Sequence, residues 1–212
     1  MRYLLFLFCV IFTACQQEGA LICTEKNTVP IIQPVKDFFR FKTGSWWVYE
    51  EEKTGEKDSV WVSRFSEHGI EYGKWKRECQ CAFGKCEEAI YITFENKKYN
   101  KNGFYIPKEY YYIYISADPV EYENSSIYMQ SEVVYSQGIN YEEGQPVSDY
   151  YWNVEQLPAL EVKGKTFNNI LHLSNTYKRY PHEKWYAKNK YLIKYKDTDS
   201  TTWNLVNYHI VQ

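Results

Sequence analysis

The sequence predicts an all-β protein, a single domain of about ten antiparallel strands forming a curved sheet, half-barrel or barrel-like sandwich. Three observations predict it. The 212-residue chain carries 22 Tyr, 11 Phe and 7 Trp but only 10 Gly, and Tyr and Trp favour half-buried strands. Short β-favouring runs alternate with turn-forming clusters at spacings typical of sandwiches, barrels and meanders. No window sustains a long 3.6-residue period, and no internal repeat or low-complexity block occurs.

The elements follow in order. Residues 15–35 mix polar types with Pro30 and Pro34 and read as a tether, with Cys23 suggesting that part of it is pinned down. The domain is expected to span residues 36–212, opening near Asp37–Phe41. Gly44 breaks that run before a first strand at Trp46–Glu50, and Thr54–Lys57 turns into a second at Ser59–Ser63. Glu67-His68-Gly69 reads as another turn. Ala89–Phe94 is a plain strand, Phe104–Ile115 is the most tyrosine-dense one, and Ile127–Tyr135 alternates. Ser136–Pro146, rich in Gly and acids, reads as a loop. Tyr150–Val154 resumes and Leu157-Pro158 ends it. Lys163-Gly164-Lys165 turns into Thr166–Tyr177. Lys184–Tyr195 and Trp203–Val211 then form a closing hairpin.

The N-terminus supplies an address. Met1-Arg2-Tyr3 is followed by an apolar run from Leu4 to Phe12, then by Thr13-Ala14-Cys15 and the polar Gln16-Gln17-Glu18. A basic start, a short apolar core and small residues before the cut describe a secretory signal over residues 1–14. The run is about half the roughly 20 residues needed to span a bilayer. Phe12-Thr13-Ala14-Cys15 resembles a bacterial lipobox, which implies that Cys15 is acylated, with palmitate-type chains, and becomes the first residue of the mature protein. The competing reading is an ordinary secretory signal with a chance cysteine at its end. Acylation would place the protein in the cell envelope, held at the outer membrane by lipid.

Of 25 Lys+Arg and 27 Asp+Glu, only Arg2 lies within residues 1–14, so the remainder has a formal charge of −3. That balance, without a basic block, argues against nucleic acid as a partner. Beyond Cys15 come Cys23, Cys79, Cys81 and Cys86. Four cysteines in an oxidising compartment suggest two disulfides, with three possible pairings. A four-residue connection between Cys81 and Cys86 sets them opposite each other in a hairpin, leaving Cys23 for Cys79. A metal site on Cys79, Cys81 and Cys86 is the rival, without paired C-x₂-C knuckles or a nearby His, and free thiols are the remaining alternative.

No catalytic motif emerges. His68, His172, His182 and His209 fit no metal-binding spacing, and no nucleophile elbow, phosphate loop or dinucleotide fingerprint is present. The expectation is therefore a non-enzyme without metal or cofactor. Tyr110, Tyr112 and Tyr114 share one strand face, opposite Tyr111, Ile113 and Ile115. They suggest a stacking platform for a ligand, which Trp152 could extend; the alternative is a sheet face covered by other structure.

Two patches carry a wider resemblance. Phe39-Arg40-Phe41-Lys42-Thr43-Gly44-Ser45-Trp46-Trp47-Val48-Tyr49 resembles the F-P-x-x-x-G-x-x-W-x-Y opening of many Bacteroidetes-type envelope lipoproteins. Lys163–Leu171, Trp185–Lys188, Leu192–Lys194 and Trp203–Tyr208 are similar to the endings of that group. Arg40 stands where the group often has Pro, and Asn189 and Tyr191 where it has Gly. The resemblance implies a β-rich, envelope-anchored protein and transfers no catalytic residue. Residues and resemblance together lead to the expectation of a non-catalytic envelope lipoprotein with a structural or interaction role. The alternative is a lipid- or glycan-binding module using an aromatic-lined concave sheet face. Partners would be the membrane, through the N-terminal lipid, and a lipid, glycan or envelope protein.

Overall fold

A computed structural model describes residues 22–71, 86–96, 111–117, 125–131, 136–142, 145–148, 152–175, 183–196 and 200–212. Its strands are β1 (Thr28–Val29), β2 (Trp46–Glu51), β3 (Lys57–Glu71), β4 (Cys86–Asn96), β5 (Tyr111–Ala117), β6 (Ser125–Ser131) and β7 (Ser136–Glu142). The rest are β8 (Gln145–Val147), β9 (Trp152–Val162), β10 (Lys165–Asn175), β11 (Glu183–Ala187), β12 (Tyr191–Lys196) and β13 (Thr202–His209). A helix, α1 (Gln33–Phe39), precedes β2. The fold is all-β, as the composition predicts.

Twelve strands form one path, β8-β7-β6-β5-β4-β3-β2-β13-β12-β11-β10-β9, every neighbour antiparallel. The thirteenth, β1, lies off the path and pairs in parallel with β4. The sheet is open, but its two ends, β8 and β9, are consecutive in sequence and meet through side chains. Gln156 Nε2 donates to Gln145 Oε1 at 2.8 Å, and the Val154 amide donates to Ser148 Oγ at 2.9 Å.

The core is aromatic. Trp47, Tyr49, Tyr186, Tyr191, Phe39, Phe41 and Phe94 are all fully buried. Trp47 lies 5.3 Å from Phe41 edge-on and 5.0 Å from Tyr191, and Tyr191 stacks on Phe94 at 5.1 Å. Polar tips find backbone partners: Trp47 Nε1 donates to the Lys190 carbonyl at 2.7 Å and the Tyr49 hydroxyl to the Leu192 carbonyl at 2.8 Å. Desolvation drives the Tyr49 and Tyr186 phenols well above their ordinary pKa, so both stay protonated and neutral.

Several expectations are corrected. The described part of the expected tether, residues 22–35, belongs to the fold: Val29, Ile31 and Val35 are buried in the core. Glu67-His68-Gly69 is not a turn, because β3 runs through it paired with Glu88–Ile90. Gly69 serves a close approach instead, since a Cβ there would lie 2.9 Å from Cys23 Cβ and 3.0 Å from Thr28 Oγ1. The expected loop Ser136–Pro146 contains β7 and β8, whose low-propensity residues are held by pairing at the sheet's end. Pro158 does not end its strand. β9 runs on to Val162 with Pro158 and the facing Asn169 left out of the β9–β10 ladder, and at the end of a sheet such a gap is tolerated. Lys184–Tyr195 is not one strand but β11 and β12, turned by Asn189 at φ 58° and Tyr191 at φ 68°.

Both expected disulfide pairings, Cys81–Cys86 and Cys23–Cys79, are also overturned. Cys86 bonds Cys23. The cause is β1, whose Thr28 sits opposite Cys86 in the parallel pairing and brings the N-terminal segment alongside the start of β4. Cys79 and Cys81 lie outside the described residues.

Candidate functional site

Cys15, the expected lipidation site, lies outside the described residues, as does Tyr110. The structure describes Tyr112 as part of β5. Tyr114 falls on the face opposite Ile113 and Ile115, which are wholly buried. Trp152 is itself a core residue, 4 % exposed, so it does not extend a surface platform.

Tyr114 belongs to a cross-strand ladder on the outer face. Its partner in register is Tyr91 of β4, with ring centroids 4.6 Å apart. His68 of β3 stacks on Tyr91 at 5.5 Å and 10°. Tyr91 therefore has a ring on either side, and the ring contacts it makes are those of a stabilising cross-strand pair. The Tyr114 hydroxyl donates to Glu87 Oε1 at 3.4 Å. Burial, then the Glu87 charge, push this phenol above its ordinary pKa, which keeps it protonated.

A second row crosses the far side of the sheet. His172 lies flat on Trp185 at 4.6 Å and 4°, as their direct register opposition dictates. Its Nδ1 is 3.4 Å from Glu155 and its Nε2 3.4 Å from Glu183. Nε2 is buried without a hydrogen-bond partner. Among the described residues no three His, Cys, Asp or Glu side chains converge to hold a metal ion.

A cleft of about 340 Å³ lies between α1 and the β9–β10 pair. Phe38 and Leu157 form apolar walls, and Asp37 and Lys188 supply charge. That charge is internally matched, with Lys188 Nζ 2.7 Å from Asp37 Oδ2 and Gln33 Nε2 donating to Asp37 Oδ1 at 2.6 Å. Pro158 and Asn169 interrupt the ladder at its edge: Asn168 pairs with Ala159 and Ile170 with Leu157, skipping both. Asn169 holds φ 54° there, and its carbonyl accepts from the Lys188 amide at 3.2 Å.

At the opposite flank of α1, four charges fasten the N-terminal segment to the sheet. Lys36 Nζ sits 2.7 Å from Glu88, whose other oxygen accepts from the Ile31 amide at 2.7 Å. Arg40 makes a forked contact with Glu67 at 2.6–3.2 Å. Desolvation raises the Glu67 carboxyl, but the Arg40 and Glu88 hydrogen bonds and the nearby cations outweigh it and hold the pKa below its usual range. Sequence reasoning missed this cluster because Lys36 and Arg40 fall where a tether gives way to an irregular start. Their spacing of four, one helical turn, is the signal that was available.

No protein-family model matches the chain, and no curated protein or solved structure matches it either. Among the described residues, no helix is long and apolar enough to cross a membrane.

Proposed function

We propose that the protein is a non-catalytic lipoprotein of the bacterial cell envelope with a structural or interaction role, anchored by acyl chains on Cys15. The observation carrying this reading is the run Leu4–Phe12 ending in Thr13-Ala14-Cys15. Such a segment is too short to span a bilayer and suits processing followed by acylation. The character of the folded part supports it. The described core rings pack on each other, and the polar tips of Trp47 and Tyr49 are bonded to backbone. These rings are committed to holding the sheet rather than to lining a ligand chamber. The outer ladder of His68, Tyr91 and Tyr114 likewise engages its rings with one another.

Several acyl chains at about 0.8 kcal/mol per buried methylene anchor a protein without help from its folded surface. Cys15→Ala should therefore shift the protein from the detergent phase to the aqueous phase, or leave it unprocessed. Unchanged detergent partitioning of the Cys15→Ala protein would refute the anchor.

A further inference from the structure

We propose that the end of the sheet bearing Cys23 and Cys86 is a membrane-apposed surface, whose occupant is the bilayer that holds the lipid anchor. The inference rests on acylation of Cys15 and adds to it where the fold begins. A tether running to residue 35 would let the domain stand roughly 75 Å away at full extension. The disulfide moves the fixed point to Cys23, eight residues after Cys15. Whatever path those residues take, covalent geometry limits their reach to about 29 Å.

The fixed point is rigid. Cys23 is bonded to the first residue of β4 and packed against Gly69 near the end of β3. Beside it the Thr24 amide donates to Asn27 Oδ1 at 2.6 Å and Asn27 Nδ2 donates to the Ile22 carbonyl at 3.0 Å. Ile22 is 78 % exposed, an apolar side chain presented next to the anchored segment. Glu25 and Lys26, of opposite charge, are exposed beside it. β3 extends for 15 residues from this end, about 46 Å along the strand. The β2–β3 turn at its other end, with exposed Gly55 and Glu56, is the part held away from the lipid. The disulfide thus sets the standoff. Without it the next backbone attachment to the sheet is Asn27, whose carbonyl accepts from the Cys86 amide at 2.8 Å, which lengthens the reach to about 43 Å.

The test uses the full-length lipidated protein in phosphatidylcholine vesicles containing a headgroup-quencher lipid, with a fluorescent amino acid at position 26 or 56. Flotation with the vesicles is scored first; failure to float overturns the anchor and this proposal with it. In floating protein, the probe at 26 should be quenched several-fold more than the probe at 56. Twelve Gly/Ser residues inserted after Glu18, in protein whose melting temperature matches the parent's, should abolish most of that quenching. Cys23→Ser/Cys86→Ser should reduce it partway. Equal quenching at both positions, or quenching at 26 that ignores the spacer, overturns the membrane-apposed surface while leaving the anchor intact.

Discussion

Lys163 illustrates how single residues carry conflicting duties in this fold. With Gly164 it makes the two-residue link between β9 and β10, at φ 48° and 74°. Two positive φ values suit the twist of a tight hairpin, and Asn or Gly is the preferred first residue. Lys has neither advantage, and a left-handed conformation costs an ordinary L-residue about 1–2 kcal/mol. In return its ammonium reaches Glu50 at 2.9 Å. That pair is exposed, and exposed pairs add little. The backbone gain should win: Lys163→Asn is expected to raise stability by about 0.5–1 kcal/mol, read as a higher denaturant midpoint with unchanged slope. Asn189 and Tyr191 show the same tension at φ 58° and 68°. Both are positions where the envelope-lipoprotein pattern that the sequence resembles has Gly, so the departure from that pattern was visible in sequence. That Tyr191 would also be a buried hub touching Phe41, Trp47, Phe94 and Tyr186 was not, because a positive φ in a core aromatic has no local sequence signature.

At the scale of elements, the helix and the short parallel strand decide where the domain starts. α1 is only seven residues long and has Pro34 in its first turn. It buries Val35 and Phe39, and Phe39 packs 5.1 Å from Tyr186. Helices this short are not stable alone, so tertiary contact holds it, including the forked Arg40–Glu67 contact. Folding lowers the Glu67 pKa. The stabilisation is therefore present above the unfolded carboxylate range and is lost as pH falls through the folded value. Glu67→Gln should melt lower than the parent at neutral pH, and the two should converge as pH falls below the lowered carboxyl pKa. A gap that stays constant across the range would assign the effect to packing rather than to charge. The strands from Trp46 to Ser63 and from Ala89 to Phe94 were legible because they alternate and end in turn chemistry. β7 and β8 were not, since Ser136, Gln137, Gly138 and Asn140 become strand only through pairing with β6. Gly69 was misread for a related reason. Its missing side chain suggests a turn locally, while the structure uses it to admit Cys23 from 46 residues earlier.

At the scale of the whole molecule, the described strands form one sheet in which β2 and β13 are neighbours near the middle. β13 pairs with β2 on one side and β12 on the other, and Ser45 Oγ bonds both the amide and the carbonyl of Val211 at 2.9 and 3.1 Å. N- and C-terminal parts of the domain therefore close on each other. The Cys23–Cys86 bond adds a loop of 63 residues, whose closure removes about 4 kcal/mol of unfolded-state entropy. The all-β class was readable from composition and turn spacing, but strand order was not, because it depends on which edges meet in space. The central claim is that Cys23 belongs to the folded domain rather than to a free tether; with Cys15 acylated as proposed, it would also set the standoff from the membrane. Non-reducing peptide mapping of the mature protein tests that claim most directly. It should yield a peptide linking Cys23 to Cys86; a Cys81–Cys86 or Cys23–Cys79 linkage, or Cys23 recovered as a free thiol, would contradict it.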